Sequence, residues 1–307
     1  MSQRQMIQRE IRAKELKTTR QDRIDERQNR RDSLDEELET LPAFGIISKL
    51  IKAPHIPIKD VVKEIVGLGD DAPYDTARSI IEIAQRTPPE EQRRLVAFLH
   101  ELQQVTVIDE NTGKPKRNDG DGEHGEIIWT ELPTFGYTWA DEWQELSPDA
   151  SNTPQERARV ENFECFISQL SAAPGRPWDD LLSYASSAIY GAFGPWYHSP
   201  KTGLREFDRP NPCNHQDTVR VAALWMIHAS DRIWDKIQRL ESGDWMLREW
   251  DQCGWSRMEW CRWKNSLEES QVKLRNRATR ELIVEALSQM KRSESIEAGR
   301  LSRKQTA

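Results

Sequence analysis

Seven of the twelve tryptophans fall within one stretch, His215–Leu267: Trp225, Trp234, Trp245, Trp250, Trp255, Trp260 and Trp263. Side chains of this size lose a large apolar surface when they leave water, so a fold for this chain must bring several elements together there. The cluster marks convergence, not chemistry. An aromatic binding surface and a packed core would both look like this, and residue spacing separates them. Val219, Ala222, Ala223, Met226, Ile233, Ile237 and Leu240 predict a helix of about 25 residues, with Trp225 and Trp234 on its flanks. Ser256-Arg-Met-Glu259 reads as a capping box that opens the next helix, in which Trp260, Trp263 and Leu267 take core positions. Trp245, Trp250 and Trp255 are left at a link and a helix start, and are expected to be partly exposed. On this reading the cluster closes a helical domain and leaves at most a small site at its hinge.

The same period runs through most of the chain. Ile58, Val61, Val62, Ile65 and Val66 line one helix face, Ala77, Ile80, Ile81 and Ala84 a second, and Leu95, Val96, Phe98, Leu99 and Leu102 a third. Thr87-Pro-Pro-Glu90 and Thr153-Pro-Gln-Glu156 have the form of capping boxes with proline at the first helical position. The second opens a helix burying Val160, Phe163, Phe166, Ile167 and Leu170. Trp139, Trp143 and Leu146 mark a short helix before it. Trp178, Leu181, Leu182, Ala185, Ala188 and Ile189 mark a longer one after it, and Leu282, Ile283, Ala286, Leu287 and Met290 a last one. Residues 110–126 read as a mobile polar loop, and Gly191–Asn214 as a proline-studded surface loop. Val105–Ile108 and Ile127–Trp129 are the only strand-like runs. The expected fold is all-α, an irregular multi-helix bundle of nine or ten helices or an irregular helical solenoid, with a polar N-terminal arm.

A mean hydropathy of −0.80 with 31% charged residues is too polar for one uniformly packed globule. The excess polarity sits at the ends. Residues 1–31 hold ten Lys/Arg against five Asp/Glu, residues 32–40 five acids and no base, and residues 271–307 nine bases against four acids. The expected organisation is an arm and linker over 1–57, helical or disordered, of which residues 1 to about 39 contribute little to the core, an all-helical domain over 58–292, and a disordered basic tail over 293–307. The acidic middle argues against a broad nucleic-acid face, leaving only the basic ends, such as Arg27-Gln-Asn-Arg-Arg31, for phosphate contact or a nuclear address. No window has the roughly 20 apolar residues of a membrane span, and the start has no apolar signal run. Cys165, Cys213, Cys253 and Cys261 share no spacing motif, so they read as free thiols of an intracellular protein, cytoplasmic or nuclear.

Three constellations invite a chemical reading. Asp119, Asp121, Glu123, His124 and Glu126 offer hard oxygen ligands, but His124 and Thr130 stand where a calcium loop starting at Asp119 needs glycine and glutamate. Cys213 and His215, with His198 in the same loop, are too closely spaced for a zinc pair and have no second pair. His228 lies mid-helix with Asp231 one turn on, an arrangement in which a carboxylate could orient an imidazole. Among tryptophan and methionine, such a histidine is more often a packing residue. The candidate site is therefore His228 and Asp231 with Trp245, Trp250 and Trp255, without cofactor or metal.

Three blocks carry a family likeness: Glu131-Leu-Pro-Thr-Phe-Gly136 running into Trp139-Ala-Asp-Glu-Trp143; Val221-Ala-Ala-Leu-Trp-Met-Ile-His-Ala229; and Gly254-Trp-Ser-Arg-Met-Glu-Trp-Cys-Arg-Trp263. Over roughly Pro73 to Arg292 the chain resembles a group of fungal all-helical proteins catalogued as a domain of unknown function. The resemblance implies a helical fold and brings no catalytic or binding residues. With no phosphate loop and no nucleophile motif, the sequence points to a non-enzymatic module that contacts a protein partner. The alternative is a small-molecule binder or enzyme with a cavity among the tryptophan-bearing helices near His228.

Overall fold

A computed structural model of the protein describes residue 22 and residues 24–69, 72–118, 125–146, 153–175, 178–194, 216–243 and 255–305. Among the described residues there are twelve α-helices and no strand, so the fold is all-α. They are α1 (24–39), α2 (Pro42–Lys52), α3 (Ile58–Val66), α4 (Ala72–Arg86), α5 (Arg93–Leu102), α6 (Ile128–Glu131), α7 (Phe135–Glu145), α8 (Pro154–Ser171), α9 (Trp178–Phe193), α10 (Gln216–Glu241), α11 (Arg257–Lys273) and α12 (Arg277–Gln305). The number exceeds the expected nine or ten because the arm supplies α1 and α2 and a single turn supplies α6. The chain divides into two compact units, Met1–Ile83 and Ala84–Ala307.

In the first unit, α2 starts with Pro42, whose missing N–H costs nothing at a helix N-terminus. It buries Ala43, Phe44, Ile47 and Leu50, and Leu38 of α1 is buried as well. Burial in this unit thus begins ahead of the helical domain expected from residue 58. The arm's apolar residues lie close together at helical spacing only after Pro42, and the long polar gaps of 1–34 hide them. Arg31 of the basic arm is also occupied, by Asp35 at 3.3 Å and Glu82 at 2.5 Å. α3 packs against α2 through Val61, Val62 and Ile65.

In the second unit, α10 is the central element and packs against α8, α9, α11 and α12. One helix thus gathers the four that flank it in the chain, two on either side. α8 begins with a complete capping box: Glu156 N–H donates to Thr153 Oγ1 at 3.1 Å, and Thr153 N–H donates to Glu156 Oε2 at 2.6 Å. Ser256 likewise caps α11, accepting from Glu259 N–H at 3.2 Å. The box expected at Thr87 does not form. Pro88 is held extended at φ −55° and ψ 148°, a 3-10 turn (Pro89–Glu91) follows, and α5 starts only at Arg93. Trp225 and Trp234, expected on flanks of α10, are buried, Trp225 completely. α12 runs to Gln305, through the segment read from sequence as a tail.

The polar loop is tied down at its base. Isolated bridges join Ile108 to Pro115 and Arg117 to Ile127, and Lys116 N–H donates to Val107 O at 2.8 Å. The two strand-like runs thus end in single bridges. Beyond them the chain turns sharply: Trp129 sits at φ 22° and Leu132 at φ 48°, both in a region unfavourable for residues with a Cβ. Both are buried, and their burial holds the turn against its strain. No helix among the described residues is long and apolar enough to cross a membrane.

Candidate functional site

Four of the described tryptophans of the cluster that dominates the sequence pack on one another. Trp234 and Trp260 lie 5.0 Å apart between ring centroids, and Trp263 meets Trp260, Trp255 and Tyr190 edge-on at 6.5, 6.5 and 6.0 Å. Trp260 and Trp263 are completely buried, and Trp260 Nε1 donates to Glu294 at 2.9 Å. Trp255 is only 4% exposed, which corrects the expectation that it is partly open; its ring closes over Trp263. Trp245 and Trp250 lie outside the described residues, as do Asp119, Asp121, Glu123, His124, His198, Cys213 and His215.

His228 and Asp231 have different partners. Asp231 accepts from Arg292 Nη2 at 2.7 Å and from Ser293 Oγ at 2.5 Å, which ties α10 to α12. His228 Nε2 faces Cys165 Sγ of α8 at 3.4 Å, and Gln169 Nε2 donates to the same sulfur at 3.2 Å. A cysteine beside a histidine is the outline of a nucleophile and its base, yet burial sets both groups the other way. Loss of solvation pushes the Cys165 thiol up to about 12 and the His228 imidazole down to about 4. Near neutral pH the pair is an uncharged thiol beside an uncharged imidazole, and an un-ionised thiol is a poor nucleophile. The contact is one of packing.

Space is left elsewhere. A cavity of about 220 Å³ opens between α7 and α9, lined by Phe135, Gly136, Trp139, Trp178, Leu181, Ser183 and Tyr184. Its walls are held from behind. Trp139 packs against Phe163 and Phe166 of α8 at 6.0 and 5.9 Å. Trp178 meets His100 edge-on at 5.6 Å and donates through Nε1 to Gln103 Oε1 at 2.8 Å. Gln103 also donates to Thr130 O at 3.4 Å, so one amide at the end of α5 fixes both the start of α9 and the strained turn leading into α7. Gly136 is exposed at the mouth, and a Cβ built there would meet nothing within 4 Å.

Behind Tyr184 lies a buried acid. Tyr184 stacks edge-on with Trp143 at 5.2 Å, and Trp143 Nε1 donates to Glu164 Oε1 at 3.0 Å. The other oxygen of Glu164 accepts from Trp225 Nε1 at 2.7 Å. Burial pushes this carboxyl up to about 7 against the pull of the two indole N–H groups. Tyr184 is raised in turn, first by burial and then by the nearby carboxylates of Glu164 and Asp141. Sequence periodicity missed Glu164, although it carried a signal: the residue falls between Phe163 and Phe166, on the apolar face of α8.

A family profile described as a protein of unknown function (DUF3632) matches residues 78–267, the stretch that holds the cavity, Glu164 and the described part of the tryptophan cluster. No curated protein and no solved structure matches the chain.

Proposed function

The chain belongs to this family of unknown function, and we propose that it works as a non-enzymatic interaction module that captures one side chain of a protein partner in the α7–α9 cavity. The observation that carries this reading is the cavity's size and lining. At about 220 Å³ it is smaller than the roughly 300–1,000 Å³ of most small-molecule and cofactor sites, and four of its seven lining residues are aromatic. A pocket of that size suits a single anchor residue, the usual source of binding energy in a protein interface. The un-ionised state of Cys165 and His228 counts against nucleophilic chemistry. The alternative of a ligand cavity at His228 has less in its favour, because His228 is not among the cavity's lining residues.

The test is selection of displayed random peptides against the full chain and against Gly136→Leu, which fills the mouth from a position with open space around it. Peptides sharing one anchor residue, and losing affinity for Gly136→Leu, are expected. Selection that yields no binder, or binders indifferent to Gly136→Leu, would overturn the reading.

A further inference from the structure

α7 forms one wall of the cavity, yet it is loosely mounted. Among the described residues it makes no extended backbone contact with another helix, whereas α8 and α9 both pack along α10. Side chains hold it instead: Trp139 on Phe163 and Phe166, Glu142 on Gln85 Nε2 at 2.9 Å, and Trp143 on Tyr184 and Glu164. The turn leading into it keeps Trp129 and Leu132 at positive φ, a strain that rearrangement of the turn relieves. A strained turn before a helix mounted by its side chains has the form of a hinge.

Trp143 also stands between Glu164 and water. Glu164 is buried and Trp143 half-buried, while the second donor, Trp225, is completely buried, so the way in for water lies on the α7 side. Both bonds to the carboxyl come from neutral indoles, which offset no negative charge. The titratable groups on the surrounding elements supply no cation either. Arg220 of α10 is bonded to Glu161, Glu142 of α7 to Gln85, and Asp141 adds charge of the same sign at Tyr184. His228 of α10 and His100 of α5 are lowered by burial, so neither is a cation at neutral pH, and Cys165 keeps its proton. An ionised Glu164 gains solvation by displacing α7.

We infer that α7 is a lid on the cavity, shut by the proton on Glu164: loss of that proton swings α7 outward on the 129–132 turn and lets water onto the carboxylate. In the shut form burial holds the carboxyl up to about 7, against 4.5 for a hydrated one. The higher value belongs to the shut form, so shutting is favoured at low pH and that preference is lost as pH rises from 4.5 through 7. With full hydration in the open form, the ratio of open to shut rises about tenfold between pH 6 and pH 8. A shift of Trp143 too small to admit water acts the other way, because it removes a donor and leaves the burial. The lid works whether or not the cavity takes a partner's side chain, so its failure leaves that reading standing.

Nuclear magnetic resonance of the nitrogen-15-labelled full chain between about pH 6 and pH 8 tests the lid, with Trp143→Phe identifying the Trp143 indole signal. As pH rises, this signal is expected to move towards the position of a water-exposed indole. Amide protons of α7 should exchange faster than in Glu164→Gln at the same pH, and those of α10 should not. Glu164→Gln stays uncharged and should hold the Trp143 signal fixed across the range, while His228→Gln should leave the change in place. A Trp143 signal that does not move in the unmodified chain overturns the lid, and so does a change that persists in Glu164→Gln. Carbon-13 titration of the glutamate carboxyls in the unmodified chain decides the matter if that variant does not fold. Matched midpoints support the lid, and a Trp143 change with no carboxyl titrating alongside it overturns it.

Discussion

Two tryptophan-rich regions of one helical unit meet opposite ends. Around α10 and α11, Trp234, Trp255, Trp260 and Trp263 lie ring against ring and are buried. Between α7 and α9, Trp139 and Trp178 are just as buried, yet a cavity remains beside them. The difference is not in the tryptophans. It lies in Gly136, which puts no side chain into the space, and in the strained turn at Trp129 and Leu132, which fixes where α7 begins. Helical spacing says that a ring is buried; what its neighbours leave empty depends on how two helices are aimed.

The largest test of this contrast is truncation. Trp263→Ala should cost about 3–5 kcal/mol in urea unfolding, because the ring is completely buried and its removal leaves a gap among Tyr190, Trp255 and Trp260. A cost near 1 kcal/mol would mean that the cluster is looser than the cavity region, and the comparison would fail.

The second test uses two groups at the contact of α8 and α10, the buried Glu164 and the half-buried His228. Glu164 has its folded value raised from 4.5 to about 7, so the stability it contributes is full below pH 4.5 and is lost as pH rises towards 7. His228 is lowered from 6.5 to about 4, so its contribution is full above pH 6.5 and is lost as pH falls towards 4. Each amounts to about 3 kcal/mol, and between these limits the slopes oppose each other. The unmodified protein should therefore show nearly level stability between pH 4.5 and 6.5. Glu164→Gln should unmask a loss towards acid, and His228→Gln a loss towards neutrality. Urea midpoints across that range check both signs, and equal slopes in the two variants would refute the assignment.

The smallest effect separates empty space from filled. Gly136→Ala adds a methyl group where nothing is touched and favours the helix, so thermal unfolding should show a gain of about 0.4–1 kcal/mol. A loss would show that the space at Gly136 is not free.

Much of the fold was legible in the sequence because burial by one helix face has a fixed period. The stripes at Val61–Ile65, Leu95–Leu102, Val160–Leu170 and Ile283–Met290 are buried as the period predicts. The errors have local causes. Pro88 and Pro89 match a capping pattern by residue type, but Pro88 is held extended and a 3-10 turn takes the place of the helix start. Trp255 looks exposed because it precedes its helix, while its ring reaches back over Trp263. The candidate site was less legible. Phe135 and Gly136 stand in a recognisable block, but the gap beside them belongs to α7 and α9 together, which no linear spacing records. His228 was visible as a histidine in apolar surroundings; its partner Cys165 lies 63 positions away and had to be found in space.

Glu164 gives the two regions a shared ledger. One carboxyl accepts from Trp143, beside the cavity wall, and from Trp225, at the centre of the packed helices. A change that draws Trp143 away leaves an oxygen of Glu164 unmatched and raises the cost of ionising it, which alters the bond to Trp225. The two halves of the tryptophan array are thus thermodynamically coupled through a single proton-binding group. A guest in the cavity that moved Trp143 would be linked to protonation of Glu164, and by reciprocity each would shift the other by the same free energy.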